Sequence, residues 1–183
     1  MSGDPISRRQ WLALAPFNTT VLAALQHAHA LMRASKPAVF SVLNADEARE
    51  IEALASQIIP SNDSPGAHEA SVIYFIDRAL ATFDAGKRAL YTDGLKQAQA
   101  TRLELFPHSQ TISALEPAQQ IRLLEAIEKT EFFDLLRTHT ILGFFGNASY
   151  GGNRDQIGWK LIGFQDRFQF QPPFGYYDAE SQR

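Results

Sequence analysis

The strongest constraint on the fold is a recurrence of apolar side chains at three- and four-residue steps, which begins after Asn44. In "NADEAREIEALASQIIP", Ala48, Ile51, Leu54, Ala55 and Ile58 follow one another at those steps. That spacing lines one face of an α-helix and does not suit a strand. Asn44 with Glu47 three residues on makes a capping-box pattern at the start, and Pro60 ends the run. The period then repeats. Residues 67–83 put Val72, Phe75, Ile76, Ala79, Leu80 and Phe83 on one face, with Ser64 and Pro65 as the expected cap and first helical position. Residues 87–106 carry Leu90, Tyr91, Leu95, Ala98, Arg102 and Leu103 at helical spacing. Gly94 lies inside that segment and implies close helix packing or a kink. Pro117 after Glu116 opens a helix with Ile121, Leu124, Ile127 and Glu128 toward one side. Thr130 caps another, with Phe132, Leu135, Leu136, His139 and Leu142 along its stripe. No segment alternates with period two. The expected fold is all-α: an irregular bundle of about five helices, a glycine- and aromatic-rich C-terminal loop, and an extended tail.

The helical pattern stops at residues 144–164, "FFGNASYGGNRDQIGWKLIGF", which hold five of the chain's 11 glycines. Glycine reaches left-handed backbone angles cheaply, so the stretch reads as a shaped loop. Tyr150, Trp159 and Phe164 supply a contour, and Asn153, Arg154, Asp155 and Lys160 supply directional polar groups. Tryptophan, tyrosine and arginine are enriched at the centres of protein interfaces. Two readings follow. The loop is folded on the protein's own core with Trp159 buried, or it presents Tyr150, Gly151, Gly152, Asn153, Arg154, Asp155, Trp159 and Lys160 to a partner. Both hold together if a loop pinned by its own aromatics forms a preorganised surface.

Composition excludes several chemistries. The chain has no cysteine, which removes disulfides, iron–sulfur ligation and covalent c-type haem attachment within it. Its formal net charge of −3 sets up no field that would gather nucleic acid. At 183 residues, 45% hydrophobic and 20% charged, it has the make-up of one soluble globular domain. No apolar run is long enough to span a bilayer. His27, His29, His68, His108 and His139 never stand at metal-binding helical spacing with a carboxylate. His139 reads as a packed histidine with one satisfied nitrogen. Asp46, Glu47, Glu50 and Glu52 read as a solvated helix face, favourable near an N-terminus. The segment "PSNDSPG" lacks calcium-loop spacing and reads as a loop cap. No catalytic, cofactor-binding or metal-binding residue is therefore assigned.

The N-terminus has the features of an address. Arg8 and Arg9 precede a weakly apolar run from Trp11 to Leu25, and Ala28-His29-Ala30 offers a small-x-small cleavage pattern. The order Ser-Arg-Arg-x-aromatic-Leu resembles the twin-arginine export consensus, with Trp11 and Ala13 as departures from it. The alternative is a packed amphipathic helix with surface arginines. The expected organisation is a twin-arginine signal segment at 1–30, a helical domain at 31–165 and a tail at 166–183.

Two longer motifs resemble the gluconate 2-dehydrogenase subunit 3 family. One is "EALASQIIPSNDSPGAHEASVIYFIDRAL", a helix ending in Ile-Ile-Pro, an acidic Pro-Gly turn, and a helix with Phe-Ile-Asp. The other is the loop itself, with its Gly-Phe-Phe-Gly, Tyr-Gly-Gly-Asn and Gly-Trp-Lys elements. "YTDGLKQAQA" and "FFDLLRTHTILGFF" also fit, and the similarity runs over about residues 43–164. The resemblance implies a non-catalytic small subunit beside a large flavoprotein dehydrogenase of the glucose–methanol–choline class, which oxidises a sugar, polyol or gluconate. It also implies a multihaem cytochrome c partner, with FAD and c-type haem in the partner subunits and no cofactor in this chain. The family's role is maturation, twin-arginine export to the periplasm and assembly of the flavoprotein, with membrane association only through the complex. Competing expectations are an independent enzyme built on Asn153, Arg154, Asp155 and Lys160, a transient export chaperone, and a cytoplasmic location.

Overall fold

The computed structural model describes residues 39–167 and 169. The chain divides into two units between Val39 and Phe40, and apart from Val39 the described residues belong to the second. The segment at 1–30, with Arg8 and Arg9, lies outside the described residues, as does most of the tail at 166–183. Six α-helices, three short 3-10 turns and no strand occur among the described residues. The helices are α1 (Ala45–Ile58), α2 (Val72–Ala81), α3 (Arg88–Leu105), α4 (Pro117–Ile127), α5 (Glu131–Phe145) and the short α6 (Ile157–Leu161). The first five are the helices that the apolar period predicts. The sixth lies inside the glycine-rich loop.

Helix α2 packs chiefly on α5 and then on α1, while α3 and α4 close the bundle. Ile51, Leu54, Ile76, Leu80, Leu123, Leu136 and Phe144 form a dry centre. The expected capping box forms at α1: Asn44 Oδ1 accepts from the Asp46 and Glu47 amides, and Glu47 accepts from Asn44 N. Gly94 marks close packing, because a Cβ there would overlap the Phe132 side chain. Among the described residues no helix is long and apolar enough to cross a membrane.

Several expectations need correction. Helix α2 starts at Val72, not near residue 67, because Ser71 takes a left-handed conformation at φ 56°. The turn before it is tied by Glu69, whose carboxylate accepts from Ser61 Oγ and Gly66 N. Those two hydrogen bonds, the Ser61 one first, hold the Glu69 carboxyl below its ordinary value. Phe83 is exposed, since the chain turns out of the helix at Thr82. Leu103, Ile121 and Leu142 are exposed as well, and Glu128 lies outside the core. In α4 the buried face is Gln120, Leu123, Leu124 and Ile127. That helix touches both α1 and α3; Leu124 and Ile127 stay on the buried face as expected, while Gln120 and Leu123 take the places of Ile121 and Glu128.

Two polar side chains also differ from expectation. Glu50 is buried rather than solvated; it accepts from Ile112 N, Ser113 Oγ and Gln99 Nε2. It therefore ties the α3–α4 connection to α1. His139 has both nitrogens partnered, not one: Nδ1 meets the Tyr91 hydroxyl at 3.0 Å and Nε2 meets Asp84 Oδ2 at 2.9 Å. An N–H on Nε2 toward the carboxylate leaves Nδ1 to accept the phenolic proton. Burial, helped by the Asp84 charge, pushes the Tyr91 phenol well above its ordinary value.

Candidate partner interface

Past α5 the chain folds back on the bundle through its glycines. At Gly152 a Cβ would overlap the Gly143 carbonyl oxygen, and at Gly158 it would overlap that of Phe144. Gly151 takes φ 108°, beyond the easy reach of other residues, and lies against the Tyr74 carbonyl. Backbone thus approaches backbone with nothing between. Asn153 is the pin. Fully buried, it donates from Nδ2 to Gly146 O and accepts at Oδ1 from Gly158 N, each at 2.8 Å. Trp159 donates from Nε1 to Phe145 O at 2.6 Å, and its ring meets Phe164 edge-on at 4.9 Å. Arg154 N donates to Ala70 O at 3.0 Å, so the loop also reaches the turn before α2.

This lock sorts the sequence-predicted site residues into two sets. Gly152, Asn153 and Trp159 face inward and hold the loop. Tyr150, Arg154, Asp155 and Lys160 are exposed, and Gly151 is half-buried between the sets. The amide of Asn153 is spent on backbone, and the Arg154 guanidinium lies 6.0 Å from the centroid of the Tyr74 ring. Asn153, Asp155 and Gln156 all have left-handed backbone, at φ 45°, 55° and 59°. Such residues cost about 1–3 kcal/mol each and persist only where surrounding contacts enforce them. No cluster of three or more His, Cys, Asp or Glu that could hold a metal occurs among the described residues.

The outer surface of the loop is more apolar than the motif suggests. Tyr150 is 54% exposed, Leu161 50%, Ile162 59% and Phe164 49%. Sequence reasoning missed Leu161 and Ile162. A signal existed for Leu161, since it stands two residues after buried Trp159 and so points away from it on a helix.

A family model described as "Gluconate 2-dehydrogenase subunit 3" matches residues 45–166. The chain belongs to the gluconate 2-dehydrogenase subunit 3 family. The match encloses every described helix and the whole locked loop of this subunit 3 chain. By its name the family supplies the third subunit of a dehydrogenase complex. Neither the curated proteins nor the solved structures gave a match.

Proposed function

We propose that this chain is the non-catalytic small subunit of a flavin-dependent sugar, polyol or gluconate dehydrogenase complex, and that the outer face of the loop docks on the flavoprotein. The observation that carries the docking surface is a loop pinned from within that still presents Tyr150, Leu161, Ile162 and Phe164 to solvent. A surface that is already ordered loses little entropy on binding, and apolar side chains on it gain from being covered. Arg154 and Lys160 beside them supply directional contacts, and a permanent interface of this kind covers about 2,000 Å² or more. The flavin and haem belong to the large subunit and a cytochrome c subunit. The segment bearing Arg8 and Arg9 directs twin-arginine export to the periplasm, so that the flavoprotein is carried across already folded.

Geometry favours this over an independent enzyme at Asn153, Arg154, Asp155 and Lys160. The Asn153 amide is consumed inside the loop, so no converging group of four remains. The test is co-expression with a glucose–methanol–choline flavoprotein from the same operon, followed by co-purification. A one-to-one complex is expected from the wild type, and none from Leu161→Asp/Ile162→Asp. Turnover of a sugar or polyol by the isolated chain, or an undiminished complex from the double variant, would overturn the reading.

A further inference from the structure

One face of α2 joins residues 40–43, just before the family match, to the loop near the end of it. Tyr74, Asp77 and Arg78 are three and four residues apart and share that face. Asp77 is buried, and its carboxylate accepts three successive backbone amides. Ser41 N donates to Oδ2 at 2.7 Å; Val42 N and Leu43 N donate to Oδ1 at 3.0 Å. The preceding residue, Phe40, stacks on Tyr74 with centroids 5.1 Å apart and planes 18° from parallel. Residues 40–43 are thereby strapped along the helix. The loop arrives from the other end of the domain. The Arg154 guanidinium lies against the same Tyr74 ring, Gly151 abuts the Tyr74 carbonyl, and Arg78 donates to the Ser149 carbonyl.

Strap and loop therefore share one ring and adjacent turns of one helix. Val42 and Leu43 pack against the core and also line a cavity of about 120 Å³ together with Ile51, Leu80, Tyr91 and Leu95.

We propose that the strap and the loop are coupled through Tyr74, so that order at 40–43 sets order in the loop and a protein docked on the loop tightens the strap. The second half rests on the partner surface proposed above; the first does not. Coupling of this kind is reciprocal by thermodynamic necessity. A ring that a phenylalanine stacks on and a guanidinium also approaches shifts when either neighbour leaves, and the other then loses its seat.

Amide exchange in the isolated full chain decides the coupling, read at Ser41, Val42 and Leu43 for the strap and at Tyr150, Gly151 and Arg154 for the loop. Phe40→Ala is expected to speed loop exchange about threefold, and Arg154→Ala to speed strap exchange by a similar factor. Arg154 is exposed and Phe40 only partly buried, so neither substitution removes a fully buried side chain. Tyr74→Leu should speed both segments, and in that background Phe40→Ala should no longer move the loop. If Phe40→Ala speeds only the strap and Arg154→Ala only the loop, the coupling is refuted. Addition of the flavoprotein should slow exchange in both segments; slowing confined to the loop also refutes it. A flavoprotein that fails to bind overturns the proposed partner surface, whereas the coupling is decided by the free chain.

Discussion

Asn153 shows how much one side chain can organise. Its two amide atoms meet a carbonyl and an N–H five to seven residues away on either side, and its backbone sits at φ 45°, which asparagine tolerates better than most residues. Asn153→Ala removes both hydrogen bonds, leaving the buried Gly158 N without a partner and the half-buried Gly146 O without its amide donor. We expect a loss of about 2–4 kcal/mol in chemical denaturation, and Asn153→Asp to be nearly as damaging because it sets an oxygen against Gly146 O. A loss under about 1 kcal/mol would mean that the pin is dispensable. Tyr91 predicts a pH dependence. Folded Tyr91 keeps its proton to higher pH than the unfolded chain, whose phenol titrates near 10.0. Above that value the unfolded state binds fewer protons, so stability falls as pH rises. Tyr91→Phe should lose about 1 kcal/mol at pH 7, through the broken His139 hydrogen bond. Its stability should then decline less steeply than the wild type's above pH 10. Equal slopes would show that another group governs alkaline unfolding.

Among the elements, the glycines separate by what surrounds them. Gly152→Ala and Gly158→Ala drive a methyl group into the carbonyls of Gly143 and Phe144. Backbone cannot swing aside as a side chain can, so each should cost about 3 kcal/mol or more. Gly86 stands in a surface turn with nothing within 4 Å of the point a methyl group would occupy, and Gly86→Ala should stay within about 0.5 kcal/mol. Thermal unfolding of the three variants side by side checks this; a Gly158→Ala protein as stable as Gly86→Ala would disprove the lock. The helices themselves were legible in the sequence. Period, caps and the prolines at 60 and 117 act within four residues, and four of the five helices stand where those signals put them. The start of α2 was not legible. Ser71 turns left-handed in a turn whose Ala70 carbonyl takes the amide of Arg154, more than eighty residues away in sequence.

For the whole molecule, the apolar side chains outside the core matter most. Leu161 and Ile162 are at least half exposed and take no part in the bundle. Leu161→Asp/Ile162→Asp should therefore leave the unfolding free energy within about 0.5 kcal/mol per site while the complex is lost. Marked destabilisation would show that these residues serve the fold instead. The candidate site was half legible. The glycine cluster announced a shaped loop and the family motif marked its extent, but Asn153 and Trp159 stood beside Arg154 and Lys160 with nothing local to tell inward from outward.

From sequence alone came the helices, the capping at Asn44 and Thr130, the exclusion of thiol chemistry and the resemblance to subunit 3. Each depends on residue type and on neighbours a few positions apart. Tertiary structure decided that Glu50 and Asp77 are buried acceptors, that Asn153 is a pin, and that Leu161 and Ile162 face solvent. Burial is a property of where distant segments meet: the carbonyls that Asn153 and Trp159 require are placed only when the loop folds back along α5, and the amides that Asp77 gathers come from the other end of the domain.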